Sequence, residues 1–289
     1  MVLSNTQKSF KEVSFFSKGL KLHGRYFPAL GVSKGNFLLL HGLTSNSAWF
    51  STLAQGLSSL GYNVLVYDRR GSGLSGGVRG DVPSKEAFFW DLRAAADFVF
   101  NQSSQPLHVM AFSYSWKLSP IFIKKLQGES RKIESLIFVA PASDVRENLK
   151  PRVKDVLKIL FNWKGPYFES PVKDSHLTQE AQTLEFIQNS TESRAQRLFT
   201  RRFLLASKTL DSKAAAILPD IKKPMLVIIP KDDQVIDAEK VKKRFEKAPV
   251  GFPRKIINVD GGHLLDSPAA QTQLLEKIMQ WVSRPTLMN

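Results

Sequence analysis

Short, uninterrupted apolar runs recur along the chain, each closing on polar or glycine-rich residues. Asn36–His41, Tyr62–Tyr67, Leu107–Phe112, Ile133–Ala140, Met225–Ile229 and Arg254–Val259 are runs of this kind. Without alternation, such runs predict strands covered on both faces. Two earlier segments, Val13–Phe16 and Leu20–Phe27, alternate loosely about a turn at Ser17–Gly19 and predict an edge hairpin. Between the runs, apolar residues recur at helical spacing. Ser47–Leu60 carries Trp49, Leu53, Leu57 and Leu60, and Ser84–Phe100 carries Phe88, Leu92, Ala95 and Phe98. Ser119–Gln127, Asp237–Lys247 and Gln271–Val282 have the same character. Alternating strands and helices imply right-handed βαβ units, and so an α/β fold with a mostly parallel central sheet flanked by helices.

One stretch breaks the alternation. Between Pro141 and about Asp220 no strand is convincing, whereas Val153–Trp163, Thr178–Gln188 and Arg194–Thr209 have helical patterns. A helical block of this size between two strands of one sheet predicts an inserted cap. The expected division is a core of residues 1–141 and 221–289 carrying a helical cap of residues 142–220.

In open parallel sheets ligands bind at the carboxyl ends of the strands. The residues expected there are His41-Gly42-Leu43, Asp68 with the glycine-rich Arg69–Gly73, Ser113, Asp232-Asp233 and His263. A serine, an acid and a histidine thus share one edge. Ser113 directly follows a strand, with small residues, Ala111 and Ser115, two positions to either side; a sharp strand-to-helix turn needs such neighbours. By itself Ser113 fits an ordinary helix cap equally well. His263 sits in a tight Gly261-Gly262 loop that brings an imidazole within reach of a hydroxyl, as a general base requires. Asp233 is preferred to Asp232 as the orienting acid, lying three residues after Pro230 and two before Val235; both acids are also suited to capping the next helix. Backbone amides of Leu43 and Tyr114 are the candidate oxyanion donors. Gly42, His41 and Trp116 are expected to border the substrate. Trp116 stands where a small residue would suit the turn better.

Composition narrows the chemistry. The 289 residues contain no cysteine, which excludes disulfides, a cysteine nucleophile and thiolate metal sites. Lys and Arg number 41 against 26 acids, for a net charge of +15. The basic residues are dispersed and no nucleic-acid motif is present, so a solvated basic surface is expected, with no nucleic-acid partner. The charge also suits peripheral contact with an anionic membrane. No apolar run of about 18 residues and no basic-then-apolar leader is present, so the expected compartment is the cytoplasm.

Taken in order, His41-Gly42, Tyr67-Asp-Arg-Arg-Gly-Ser-Gly-Leu-Ser75, Ala111–Ser115, Pro224–Val235 and Gly261-Gly-His263 resemble the motifs of the α/β-hydrolase superfamily. The likeness is strongest to its monoacylglycerol lipase and lysophospholipase-like branch, and it extends from about Val13 to Val282. It implies a serine hydrolase with Ser113 as nucleophile, Asp233 as acid and His263 as base. The implied reaction is cleavage of a carboxylic ester through an acyl-serine, with no metal and no organic cofactor, on a small-molecule or lipid ester such as an acylglycerol or lysophospholipid. Leu157, Ile159, Leu160, Phe161, Trp163, Tyr167 and Phe168 of the cap would either line an acyl pocket or form the cap's own core. Two further readings stay open: a peptidase or thioesterase on the same fold, and a non-catalytic binding protein on a hydrolase scaffold.

Overall fold

The computed structural model describes residues 10–126, 133–151, 167–191, 194–247 and 252–283. An eight-stranded sheet forms the centre. Its strands are β1 (Lys11–Ser17), β2 (Leu20–Phe27), β3 (Gly35–Leu40), β4 (Tyr62–Tyr67), β5 (Leu107–Phe112), β6 (Ile133–Val139), β9 (Met225–Pro230) and β10 (Arg254–Val259). The spatial order is β1-β2-β4-β3-β5-β6-β9-β10. The β1–β2 hairpin joins β4 antiparallel, and every later pairing is parallel. The sheet is that of an α/β-hydrolase, with helices on both sides.

Five of the unalternating runs become the central strands, their apolar residues packing into one of two cores; the sixth, Arg254–Val259, forms the edge strand β10 and is mostly half-buried, because no strand covers its outer side. Leu38, Leu40, Leu65, Val109, Ala111, Leu136, Phe138 and Val227 face one layer. Phe37, Leu39, Val64, Val66, Met110, Ile137 and Ile228 face the other. Burial of one such side chain stabilises by about 1.5–3 kcal/mol. Helices α2 (Lys85–Gln102) and α3 (Leu118–Lys125) cover the first face. Helices α1 (Ser51–Ser59) and α8 (Pro268–Val282) cover the second. The start of α8 has a capping serine, Ser267, accepting from the Ala270 amide, and a proline inside the first turn.

Between β6 and β9 the described residues are not purely helical. A small antiparallel ribbon pairs β7 (Tyr167–Glu169) with β8 (Leu198–Thr200). This corrects the expectation that no strand lies here: three-residue strands are too short to show a period. Helix α4 spans Asp174–Leu177 and α5 spans Ala181–Asn189. The helix expected at Arg194–Thr209 instead starts at Arg201, after β8, and runs to Ile217 as α6. Thr200 caps it by accepting from the Phe203 amide. The expected helix Val153–Trp163 lies outside the described residues. After β9, α7 (Ala238–Glu246) begins on Asp237, whose carboxylate accepts from the Lys240 amide.

Candidate active site

β5 ends at Phe112, and the chain reverses sharply at Ser113 into a 3-10 turn, Ser113–Lys117, that leads to α3. Ser113 takes φ +47°, the left-handed region that costs a non-glycine residue about 1–2 kcal/mol. Strain of this kind persists only where surrounding structure imposes it. It lifts the hydroxyl off the sheet edge into a cleft.

Two loops deliver the partners. The β10–α8 loop brings His263 so that its Nε2 lies 2.9 Å from Ser113 Oγ. The β9–α7 loop brings Asp233 so that Oδ2 lies 2.7 Å from His263 Nδ1. Both residues are buried. The other oxygen, Oδ1, accepts from the amides of Val235 at 2.7 Å and Ile236 at 3.0 Å, which fixes the carboxylate. Arg146 Nε donates to the Asp233 carbonyl at 2.9 Å, holding the backbone from outside. Asp232 is exposed and faces away, its amide bound to the Gly261 carbonyl. With Nδ1–H donated to the carboxylate, Nε2 presents its lone pair to the serine hydroxyl.

The loop after β3 forms the opposite wall. Gly42 runs so close that a Cβ there would lie 3.6 Å from Ser113 Cβ and 3.3 Å from Ser45 Oγ. Gly42 and Leu43 both line the cleft. Among the described residues no acceptor takes the Leu43 N–H. Tyr114 contributes a first-turn amide, one of the donors a helix start leaves unpaired. The cleft is narrow, about 30 Å³, and is walled mainly by apolar groups, among them Trp49, Phe50, Phe112, Val139, Leu177 and Leu264. Trp49, Phe50, Phe112 and Leu264 also border a second, wider chamber of about 520 Å³ beneath α5.

Two expected substrate-bordering residues lie elsewhere. Trp116 is 1% exposed and meets Phe245 of α7 edge-on at 6.2 Å, deep in the core. The reversal that raises Ser113 turns Trp116 downwards. His41 is also buried, its ring held between the Arg69 amide, 3.0 Å from Nε2, and the Gly42 carbonyl, 2.8 Å from Nδ1. Burial, then the neighbouring Arg69 charge, pulls its pKa down to about 3, so the ring is neutral. Of the expected acyl-pocket residues, Leu157, Ile159, Leu160, Phe161 and Trp163 lie outside the described residues. Tyr167 is exposed and Phe168 half-buried on the ribbon.

Sequence reasoning missed several supports. Ser115 Oγ donates to the His41 carbonyl at 2.6 Å. Lys117 is buried, with Nζ 2.7 Å from Asp211 Oδ1 and 4.2 Å from the Tyr114 ring centre. The Tyr114 ring also stacks on Phe203 of α6 at 5.7 Å. No local pattern announces these residues, because each partner is distant in the chain. Among the described residues no group of three His, Cys, Asp or Glu side chains is arranged to hold a metal ion. No described helix is long and apolar enough to cross a membrane.

Residues 31–262 match the family model described as serine aminopeptidase, S33. Among curated proteins, the chain is similar to lysophosphatidylserine lipase ABHD12 of Macaca fascicularis, 28% identical over 153 residues, covering 52% of this chain and 37% of that one. The Gallus gallus protein of the same name is 28% identical over 150 residues, covering 51% and 38%. The match thus spans well under half the length of these relatives. Among solved structures, a soluble variant of monoglyceride lipase from Saccharomyces cerevisiae, in complex with a substrate analog, superposes with a TM-score of 0.81. It is 16% identical and covers 98% of this chain and 97% of that one. The monoacylglycerol lipase of Paleococcus ferrophilus gives 0.75 at 18% identity, covering 90% and 98%. At these identities the superpositions speak for the fold.

Proposed function

The chain belongs to the serine aminopeptidase S33 family, in the lipase-like branch of the α/β-hydrolases, and from that premise we propose that it cleaves carboxylic esters of lipids through an acyl intermediate on Ser113. The observation that carries this reading is the unbroken line Ser113 Oγ, His263 Nε2, His263 Nδ1, Asp233 Oδ2, with gaps of 2.9 and 2.7 Å, opening on an apolar cleft.

In the proposed reaction His263 Nε2 takes the hydroxyl proton as Ser113 Oγ attacks the ester carbonyl. Asp233 stabilises the imidazolium that forms. Negative charge on the carbonyl oxygen is met by the amides of Leu43 and Tyr114. Collapse expels the alcohol, which takes its proton from His263. Water, deprotonated by the same nitrogen, then attacks the acyl-serine; the acyl–Oγ bond breaks, the acid leaves and His263 returns the proton to Ser113 Oγ.

The substrate class follows from the walls. An aminopeptidase anchors a substrate ammonium, and a carboxylate in the cleft would serve. The described cleft lining contains none, and Asp266, which lines the adjoining chamber, accepts from the Thr178 hydroxyl at 2.5 Å. Trp49, Phe50, Phe112 and Leu264 instead lead from Ser113 to the chamber beneath α5, where Leu53, Phe186 and Ile187 offer apolar surface. We assign that chamber to the acyl chain of an acylglycerol or lysophospholipid. Residues 142–220 are proposed as a cap over it, since α5 and the Val172–Leu177 stretch close both spaces.

The test is fluorophosphonate labelling with peptide mass spectrometry, beside p-nitrophenyl esters and thioesters of graded chain length. Labelling at Ser113, and loss of turnover by about 10⁴-fold or more in Ser113→Ala, is the expected result. A folded protein that is neither labelled nor active on any ester would overturn the reading.

A further inference from the structure

The two arginines that follow β4 are adjacent in sequence and differ in what holds them. Arg70 grips the carboxylate of Asp91 on α2, Nε at 2.6 Å and Nη2 at 2.5 Å. Arg69 is buried with no carboxylate partner among the described residues. Its guanidinium donates only to backbone carbonyls: Nη1 to His41 at 3.0 Å, Nη2 to Gly42 at 3.0 Å and to Leu43 at 2.9 Å. Its Nε has no hydrogen-bond partner, and Asp68 and Asp91 act on the charge only at a distance, so the loop carbonyls are the guanidinium's sole hydrogen-bond partners among the described residues, an uncommon arrangement for a buried cation. Those three carbonyls belong to the loop that borders Ser113.

The consequence lies in peptide geometry. The bond between Gly42 and Leu43 is trans and planar, so the Gly42 C=O and the Leu43 N–H point in opposite directions. The Gly42 carbonyl is held twice, by Arg69 Nη2 and by His41 Nδ1. The His41 ring must donate from Nδ1, because its Nε2 accepts from the Arg69 amide. With its carbonyl fixed on the arginine side, the Leu43 N–H is aimed at the other side, where the cleft and Ser113 lie. Donation into a carbonyl also polarises the whole amide and strengthens its N–H as a donor. The same guanidinium sits 4.9 Å from the ring centre of Tyr114, whose amide is the second donor. Ser115, in place of the glycine usual at this position of the turn, holds the preceding carbonyl, that of His41.

We propose that Arg69 is the positioning residue of the oxyanion hole, acting through the Gly42–Leu43 peptide with Ser115 as a lesser support. This rests on the esterase reading above. It assigns Arg69 neither to substrate nor to the fold in general: its removal should weaken transition-state stabilisation while leaving ground-state binding in place.

The experiment uses the full chain with Arg69→Gln, Arg69→Lys and Ser115→Ala, each normalised to the fraction of sites a fluorophosphonate titrates at completion. Turnover and KM are measured on one p-nitrophenyl ester, beside the inhibition constant of a trifluoromethyl ketone, whose adduct with Ser113 carries an oxyanion. Arg69→Gln should lower kcat by about 100-fold with KM changed less than about threefold. The ketone should lose affinity by a similar factor. Arg69→Lys, a point charge that cannot span three carbonyls, should fall in between. Ser115→Ala, a change the turn tolerates sterically, should lower kcat by about fivefold, and it carries the test together with Arg69→Lys if Arg69→Gln does not fold. Wild-type kcat in Arg69→Lys and Ser115→Ala, or losses confined to KM or to the titratable fraction, would overturn the assignment while leaving the esterase intact. A wild-type protein inactive on every ester would remove the proposed function and this assignment with it.

Discussion

The sheet and the stretch between β6 and β9 are built on different principles. Strands β3, β4, β5 and β9 bury every one of their six residues. In the intervening stretch, α5 buries only Ile187, and β7 buries none of its three residues. Phe199 of β8 and Phe203, Leu210 and Ala214 of α6 join the stretch to the main core, and polar contacts tie down the rest. The Thr200 amide donates to the Gly80 carbonyl at 2.9 Å, Gln196 to Thr44 at 2.8 Å, and Leu264 to Leu177 at 3.1 Å. Ion pairs add Lys117 to Asp211 and Arg202 to Asp81. Apolar burial is non-directional and large, whereas exposed polar contacts stabilise by little each. The sheet core therefore holds the chemistry, α6 packs onto it, and α5 and β7 are the parts least held by apolar burial.

The largest effects should separate chemistry from stability within the core itself. Asp233→Asn keeps an acceptor for the Val235 and Ile236 amides but offers His263 the wrong partner. It should lower kcat by about 10⁴-fold with little change in melting temperature. Trp116→Ala should do the reverse. It removes a side chain packed on Phe245 and should cost about 3–5 kcal/mol in denaturant unfolding. If Trp116→Ala instead leaves stability intact and alters ester selectivity, Trp116 lines substrate after all. Gly80→Ala carries the comparison outside the core. Gly80 has φ +65°, and a Cβ there would meet the Leu198 carbonyl at 1.9 Å. Substitution should detach the ribbon, seen as faster amide exchange at Leu198–Phe203, before the strands lose protection.

The same contrast explains what was legible beforehand. Strands buried on both faces are written locally, as runs such as Leu38-Leu39-Leu40, so the strands and the loops at their ends can be read directly, whereas their order in the sheet cannot. Ser113, Asp233 and His263 stood out because each follows such a run. The ribbon did not, since three residues carry no period and its pairing joins Tyr167 to Thr200 across the stretch. The start of α6 was misplaced because Arg194–Thr200 is polar and helix-compatible until the ribbon claims it. Trp116 looked like a substrate contact because its partner, Phe245, lies far along the chain. Arg69 and Arg70 are the same residue type side by side, and only the fold shows that Arg70 faces a carboxylate and Arg69 a row of carbonyls.

Acid should load the core and spare the polar contacts. His41 is buried neutral, with a folded pKa lowered to about 3 from 6.5 by burial and by Arg69. Between those values the unfolded chain binds the extra proton, so stability rises with pH there and falls on acidification, by about 2 kcal/mol at pH 5. His23 has the opposite sign. Burial opposes its charge, but Asp68 and Glu12 outweigh burial and raise its pKa. Its contribution is complete below 6.5 and is lost as pH rises through the folded value. Stability should peak near pH 6.5. The carboxylates of Asp81 and Asp174, both paired with arginine and both lowered in pKa, keep their contacts through this window. Unfolding midpoints from pH 5 to 8 would test this. A flat profile below 6.5 would mean that His41 is not buried neutral behind the oxyanion loop.

The smallest effect probes the polar contacts one at a time. The Arg202 side chain is 56% exposed while Asp81 is nearly covered, and Arg202 Nε donates to Asp81 Oδ1 at 3.1 Å. An ion pair with one exposed partner should contribute about 0.5 kcal/mol, and less in high salt. In Arg202→Gln the Thr200 hydroxyl still donates to Asp81, so the carboxylate is not left bare. Exchange at the β8 amides should quicken about twofold at low salt, and wild type and variant should converge at 1 M salt. Global stability should stay unchanged. A large, salt-independent loss would show that this pair belongs to the rigid core, and the boundary between the two regions would then run beyond β8.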